Sequence, residues 1–342
     1  MTVYRRGSVG PEVARLQLRL GELGHYLGPA DGSFGGGTES AVRTFQRSAG
    51  LGADGVVGPR TWGALFDGEV VPRPTIVDRT LAYRCLALTA SFETGQGIPD
   101  CFAGVAGDFD GQGVSFGALQ WNLGQRSLQP LLLEIDRRDA TVLDDVFHDR
   151  CGELRAVLAA SPREQLAWAR SIQDINRRRL NEPWQGLFRA LGRRPECHEA
   201  QARAAQHRYD RATEMCRAFG VWSERAAALL FDIVVQNGSI GDLVRAQIER
   251  DFATIPAGAA ADVEVARLRA IANRRAEAAR AQWVEDVRQR KLTIANGEGS
   301  VHGRRYHLEN DYGIGLRRAE APGVRAPEGA LRGKGRGKRR VG

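Results

Sequence analysis

Sulfur and aromatic residues are scarce: five cysteines, two methionines and 7% Phe, Trp and Tyr in 342 residues. The cysteines (Cys85, Cys101, Cys151, Cys197, Cys216) are odd in number, widely spaced and without a CxxC pair, which argues against a zinc ribbon or a disulfide framework. They read as buried free thiols, with a single bridge through Cys101 as the alternative. No apolar run approaches the roughly 20 residues that span a bilayer. The opening "MTVYRRGSVGPEVARLQLRL" lacks the continuous apolar stretch of a cleaved secretory signal. The six histidines form no HExxH, and the glycine runs are not followed by Lys-Ser or Lys-Thr. "DFDGQG" looks like part of a calcium loop but lacks the spacing that ends on a glutamate. No metal or cofactor is expected. "YHLEND" with His302 is a weaker metal-site or amidase candidate. Cys151, three residues after His148, and Cys197, next to His198, lack the helix-start setting of an activated thiol.

The body of the chain also lacks an excess of either charge. Net charge is +8, but nine basic residues between Arg317 and Arg340 face only Glu320 and Glu328, so the C-terminal segment carries +7 and the rest about +1. A nucleic-acid groove in the folded part is therefore not expected. The polycationic end reads either as a solubilising tail or as a contact to anionic outer-membrane lipid or wall polymer.

The chain divides by pattern. Val13, Leu16, Leu20 and Leu23 recur at helical spacing. "ADGSFGGGTESAVRTFQ" gives a glycine turn and a second helix with Thr38 as its expected cap and Ala41, Val42 and Phe45 as its stripe. "GLGADGVVGPRTWGALF" gives a third, with Trp62 and Leu65, and "DGSFG" recurs loosely as "DGVVG". Residues 1–66 thus read as a small three-helix module of two related units. Residues 67–78, with Pro72 and Pro74, read as a linker. Residues 79–318 read as a mostly helical domain, and 319–342 as a disordered basic tail. Helical patterns lie near 151–175, 198–219, 223–235 and 240–253, with a long one over 260–290 whose stripe includes Leu268, Ile271, Ala272, Ala279, Trp283 and Val287. The stretch from Asp100 to Trp121 is instead glycine-punctuated and fits a small hairpin or irregular sheet.

That stretch carries the candidate chemistry. Leu81, Cys85, Leu88 and Phe92 share one helix face, and Glu93 stands at that helix's last turn before Gly95 and Gly97. A carboxyl there meets the negative helix end and apolar neighbours, both of which favour its protonated form, the state a general acid needs. Asp108 and Asp110 lie on the glycine-rich segment, which can fold back towards Glu93. Two carboxyls in unlike surroundings are the minimal equipment for cleaving a glycosidic bond; a helix-ending Glu and turn-forming Asp residues are the plain alternative. Gln120, Asn122 and Ser115 suit sugar hydroxyls and N-acetyl groups, and Trp121 offers a stacking face.

Two resemblances sharpen these patterns. The segments "GSVGPEVARLQLRLGELG", "DGSFGGGTESAVRTFQ" and "DGVVGPRTW" look like the small peptidoglycan-binding module of cell-wall hydrolases. This implies wall-glycan or stem-peptide binding, carried over here to Asp31, Phe34 and Gln46. "SFETG…FDGQGVSFGALQ" resembles the lysozyme-like superfamily, and within it the family 46 glycoside hydrolases, the chitosanases. The resemblance implies a mainly α fold whose large helical lobe and small β-hairpin region form a cleft. It also implies Glu93 as general acid, Asp110 as base with Asp108 as its alternative, and Ser115 holding the attacking water. It covers about 80–125 well and the rest weakly. "FDIVVQNGSIG" would close the cleft with Gln236 and Asn237, and "NGEGSVHGRRYHLENDYGIGL" would form a terminal flap carrying His302, Tyr306 and Asp311.

Chitosanases hold a cationic polymer through many acidic residues, and this body is not notably acidic. The expected reading is therefore a monomeric peptidoglycan glycosidase with an inverting mechanism, such as a phage-type endolysin or an antibacterial effector. It would be made in the cytoplasm and carried to the periplasm or wall by a holin or secretion machine. The alternatives are a chitosanase-type hydrolase, a lytic transglycosylase, and a wall-binding protein without catalysis.

Overall fold

The computed structural model describes residues 2–108, 110–174, 176 and 178–319. The expectations for the basic tail beyond Ala319 lie outside these residues. Helix accounts for 61% of the structure, in line with the mainly α reading.

The N-terminal module packs α1 (Pro11–Glu22), α2 (Gly36–Ser48) and α3 (Pro59–Leu65) around Val13, Leu16, Leu20, Val42 and Trp62. The two related units are visible as a repeated hydrogen-bond pattern. Gln17 in α1 donates to Asp31, the Ser33 carbonyl and Thr38, and accepts from the Gly32 N–H. Gln46 in α2 donates to Asp54, the Val56 carbonyl and Thr61, and accepts from the Gly55 N–H. Each buried amide fastens the loop that follows its own helix. Thr38 therefore sits inside the first turn of α2 and serves Gln17, while Gly35 takes the cap position. Replacing Gln46 by Ala strands the buried Gly55 N–H, at a cost of about 1–3 kcal/mol. The expected outcome is faster amide exchange across residues 46–61 in the full chain, with helices outside the module unchanged.

The larger unit begins with α4 (Leu81–Thr94), capped by Thr80, whose hydroxyl accepts from the Tyr83 N–H. The expected single apolar face understates this helix. Residues on every side of it, from Tyr83 to Phe92, are buried, so it is the central rod of the domain. A three-stranded antiparallel sheet follows: β1 (Val105–Ala106), β2 (Ser115–Phe116) and β3 (Trp121–Asn122), with Ala106 opposite Ser115 and Phe116 opposite Trp121.

One side of the lobe is built by α5 (Leu128–Arg138), α6 (Ala140–Phe147), α7 (Cys151–Ala159), α8 (Pro162–Ser171), the hairpin β4 (Gln173–Asp174) and β5 (Arg179–Leu180), and α9 (Trp184–Gly192). The other side is α10 (Pro195–Ala204), α11 (Gln206–Phe219), α12 (Glu224–Asn237), α13 (Asp242–Ala253), α14 (Ala260–Glu277) and α15 (Val284–Asn296). The hairpin β6 (Glu298–Val301) and β7 (Arg304–His307) and the short α16 (Leu308–Tyr312) finish the domain. All five cysteines are free and buried. Among the described residues no helix is long and apolar enough to cross a membrane.

Two expected helices divide. The 151–175 pattern breaks at Ser161-Pro162, where Ser161 and Glu164 form a reciprocal capping box. The 260–290 pattern breaks after Glu277, and Trp283 is 55% exposed on the connecting turn rather than in the core. Returning as α15 brings Arg290 and Lys291 under α12.

The proline segment after Asp67 is no free tether. Val71 is buried in the module's core, and Ile76, on a 3-10 turn at Thr75–Asp78, is buried in the core of the larger domain. The module is seated on that domain. The Val3 N–H donates to Asn310 Oδ1 (3.1 Å), Asn310 returns a bond to the Val3 carbonyl (2.8 Å), and the Ser8 hydroxyl donates to Asp311 Oδ1 (3.1 Å). Burial raises the Asp311 carboxyl.

Candidate active site

Glu93 is the penultimate residue of α4, and Gly95 closes the helix in the left-handed region at φ 67°. The helix end lies against the sheet: a side chain at Gly104, one residue before β1, would meet Gln120 at 2.9 Å and Thr94 at 3.9 Å. Glu93 is 43% exposed and Arg290 Nη1 is 2.7 Å from its Oε1. The expected apolar surroundings of Glu93 are thus replaced by an open rim and a cation. The carboxyl extends past the buried Phe92 to solvent, while Arg290 rises from below with its guanidinium 5.2 Å from the Phe92 ring centre.

Arg290 is held in turn. Its Nε and Nη2 donate to Asp232, at 3.1 and 2.6 Å, and Asp232 also accepts from Thr89 on α4. Lys291 lies on the other Asp232 oxygen and donates to Gln236 at 2.6 Å. Burial alone would raise the Asp232 carboxyl, but Arg290 and Lys291 outweigh it and hold it down at about 2. Burial pulls the Lys291 ammonium down to about 8 against the attraction of Asp232. The chain Asp232–Arg290–Glu93 thus runs from the core of the domain to its rim.

The other expected residues separate into two groups. Asp108 follows β1 with its side chain 11% exposed. Its N–H donates to Gln173 Oε1 (2.6 Å), Arg170 Nε is 3.6 Å from Oδ2, and Oδ1 is buried with no hydrogen-bond partner among the described residues. Asp110 is exposed on the following turn and accepts from the Gln112 N–H. Ser115 is buried in β2, and Gln120 is exposed at φ 54° with its amide on the Gly117 carbonyl.

Several residues expected to touch a ligand instead support the frame. Trp121 is 5% exposed and belongs to the core, so its ring offers no stacking face. Asn122 is buried and accepts from the Gln125 N–H, fixing the turn into α5. Gln236 is engaged by Lys291, and Asn237 is exposed at the end of α12. In the module Phe34 and Gln46 are buried and hold its core and second loop, whereas Asp31 is exposed and accepts from Gln17 and the Ser33 N–H. The terminal segment is no single flap. His302 pairs with Asp286 on the surface, Tyr306 lies against Ser91 and Phe92 inside, and Asp311 lies at the module seam. Among the described residues no group of His, Cys, Asp and Glu is arranged to hold a metal ion.

Sequence reasoning missed Asp232, Arg290 and Lys291. A signal was present: Asp232 is the lone carboxylate in the apolar run "ALLFDIVV", and a charge buried there requires a partner.

Residues 9–65 match the family model described as "Putative peptidoglycan binding domain". The N-acetylmuramoyl-L-alanine amidase CwlM of Mycobacterium tuberculosis is 49% identical over 57 residues, 17% of this chain and 14% of that protein. A spore cortex-lytic enzyme of Bacillus cereus is 48% identical over 59 residues, 17% of this chain and 23% of that enzyme. This chain therefore spans less than a quarter of the length of either relative. Among solved structures, a native chitosanase of Bacillus subtilis aligns with TM-score 0.39 and 18% identity, over 64% of this chain and 87% of that one. A Gynuella sunshinyii family 46 chitosanase in complex with chitotetraose aligns with TM-score 0.40 and 14% identity, over 67% of this chain and 98% of that one.

Proposed function

We propose that the protein hydrolyses the glycan strands of peptidoglycan, with Glu93 as general acid. The observation that carries this reading is a carboxyl on an open rim, aimed from below by Arg290, whose own position is fixed by the buried Asp232. Asp110, exposed on the glycine-rich turn, activates the water. Asp108 is the comparison, since its backbone is tied to Gln173 and its carboxyl faces Arg170.

The substrate class follows from the binding module and from charge. A groove of about 420 Å³ runs past the end of α4, lined by Thr94, Gly104, Arg189 and Arg193, with Asp100 as its carboxylate. Asp100 is already paired with Arg193 at 2.6 Å. Such a wall favours a neutral or anionic glycan over cationic chitosan.

The test is digestion of purified sacculi, followed by turbidity and by mass spectrometry of the fragments. Clearing with water-added reducing ends is expected, with chitosan a poorer substrate. Anhydro-muramyl ends would replace hydrolysis by transglycosylation and remove the need for a base. Failure of the wild type to clear sacculi would leave a wall-binding protein without catalysis. Asp110→Asn is expected to slow clearing by about 10²–10⁴-fold; a larger loss in Asp108→Asn would transfer the base role.

A further inference from the structure

A cavity of about 850 Å³ lies at the seam between the module and the larger domain rather than beside Glu93. Three parts of the chain contribute arginines to it: Arg5 from the module, Arg73 from the connecting segment, and Arg225 and Arg317 from the larger domain. Its carboxylates are Glu298 and Glu309. Glu298 is engaged by His307 Nδ1 at 3.1 Å, and Arg317 by Glu224. Arg5, Arg73 and Arg225 form no ion pair with a described residue. The Nε atoms of Arg5 and Arg225 are buried and have no hydrogen-bond partner among the described residues. A buried unpaired donor costs about 1–3 kcal/mol, more when it is charged. Burial lowers the Arg225 guanidinium, as expected where its charge is not fully compensated. A volume of this size lies within the range of small-ligand sites, roughly 300–1,000 Å³.

We propose that this seam is a binding site for the charged stem peptide of the cell wall, whose free carboxylates are taken by Arg5, Arg73 and Arg225. The mixed lining selects a peptide over a polyphosphate. Glu298 and Glu309 stand beside the arginines, where they attract a peptide ammonium group and repel a purely anionic chain. Because both structural units supply arginines, the site exists only while the module is seated. Occupancy thus holds the module and the catalytic rim in one orientation on the same polymer. The proposal rests on the wall-polymer reading above.

The experiment is calorimetric titration of the full chain with a synthetic, glycan-free stem peptide containing a diamino acid, and separately with inorganic phosphate. Saturable peptide binding is expected, weakened about tenfold or more by Arg225→Gln and by Arg73→Gln. Arg73 is exposed on the connecting segment, so its replacement does not threaten the fold. No binding by the wild type, unchanged affinity in both variants, or phosphate binding in place of peptide would each overturn the proposal. Sacculus digestion is scored in parallel. Digestion without peptide binding removes this site alone, whereas peptide binding without digestion keeps it and retires the hydrolase.

Discussion

Glu93→Gln is expected to lower the rate of sacculus clearing by about 10²–10⁴-fold, the usual worth of a positioned general acid. The substitution keeps the length of the side chain and an oxygen for Arg290, and removes only the ability to deliver a proton. Arg290 retains Asp232, its more buried partner, so the fold has little reason to change. The melting temperature is therefore expected to stay within a few degrees of the wild type's, because Glu93 is 43% exposed and the buried Arg290 keeps its bonds to Asp232. Clearing at the wild-type rate by a correctly folded Glu93→Gln protein would end the assignment. A large fall in melting temperature would instead make Glu93 part of the structural network.

Asp232→Ala is expected to have the largest effect on stability. It leaves Arg290 and Lys291 buried, with the carboxylate that compensates both removed. Breaking a buried ion pair from one side costs about 3–5 kcal/mol, a fall in melting temperature of roughly 6–20 °C. Such a network is weak evidence for stability in itself, since well-packed apolar residues often do as well. Its clearest use here is directional: it fixes the guanidinium that meets Glu93.

The same network sets an acid limit. The folded Asp232 carboxyl is depressed to about 2 from its ordinary 3.8. Its contribution is therefore fully present above about pH 4 and is lost as pH falls towards 2. Equilibrium melts between pH 5 and pH 2 are expected to show that loss in the wild type and to show less of it in Asp232→Ala. Equal acid sensitivity in the two proteins would place the acid limit elsewhere.

Much of this was legible in the sequence. The two "DG" loops of the module are local events, each fixed by a glycine turn and a glutamine on the preceding helix. The end of α4 at Gly95 is also local, since only a residue tolerant of positive φ closes a helix in that way. The glycine-rich stretch after it therefore read as non-helical, which holds from Val105 onward, while Asp100–Phe102 forms a 3-10 turn. Trp121 shows where such reading stops. A tryptophan between an exposed glutamine and an asparagine looks available for stacking, but pairing of β3 with β2, where Trp121 stands opposite the buried Phe116, places it in the core.

The sequence by itself determined the mainly helical class, the small three-helix module and Glu93 as the carboxyl at a helix end, because turns, caps and periodicity act over a few residues. Tertiary structure alone decided what meets that carboxyl. Arg290 is 197 positions away from Glu93, and it arrives only because α15 folds back beneath α12. The arginines of the seam likewise come from residues 5, 73, 225 and 317, which share no local pattern. Charges converge when helices pack, and packing is set by apolar surfaces spread over the whole chain.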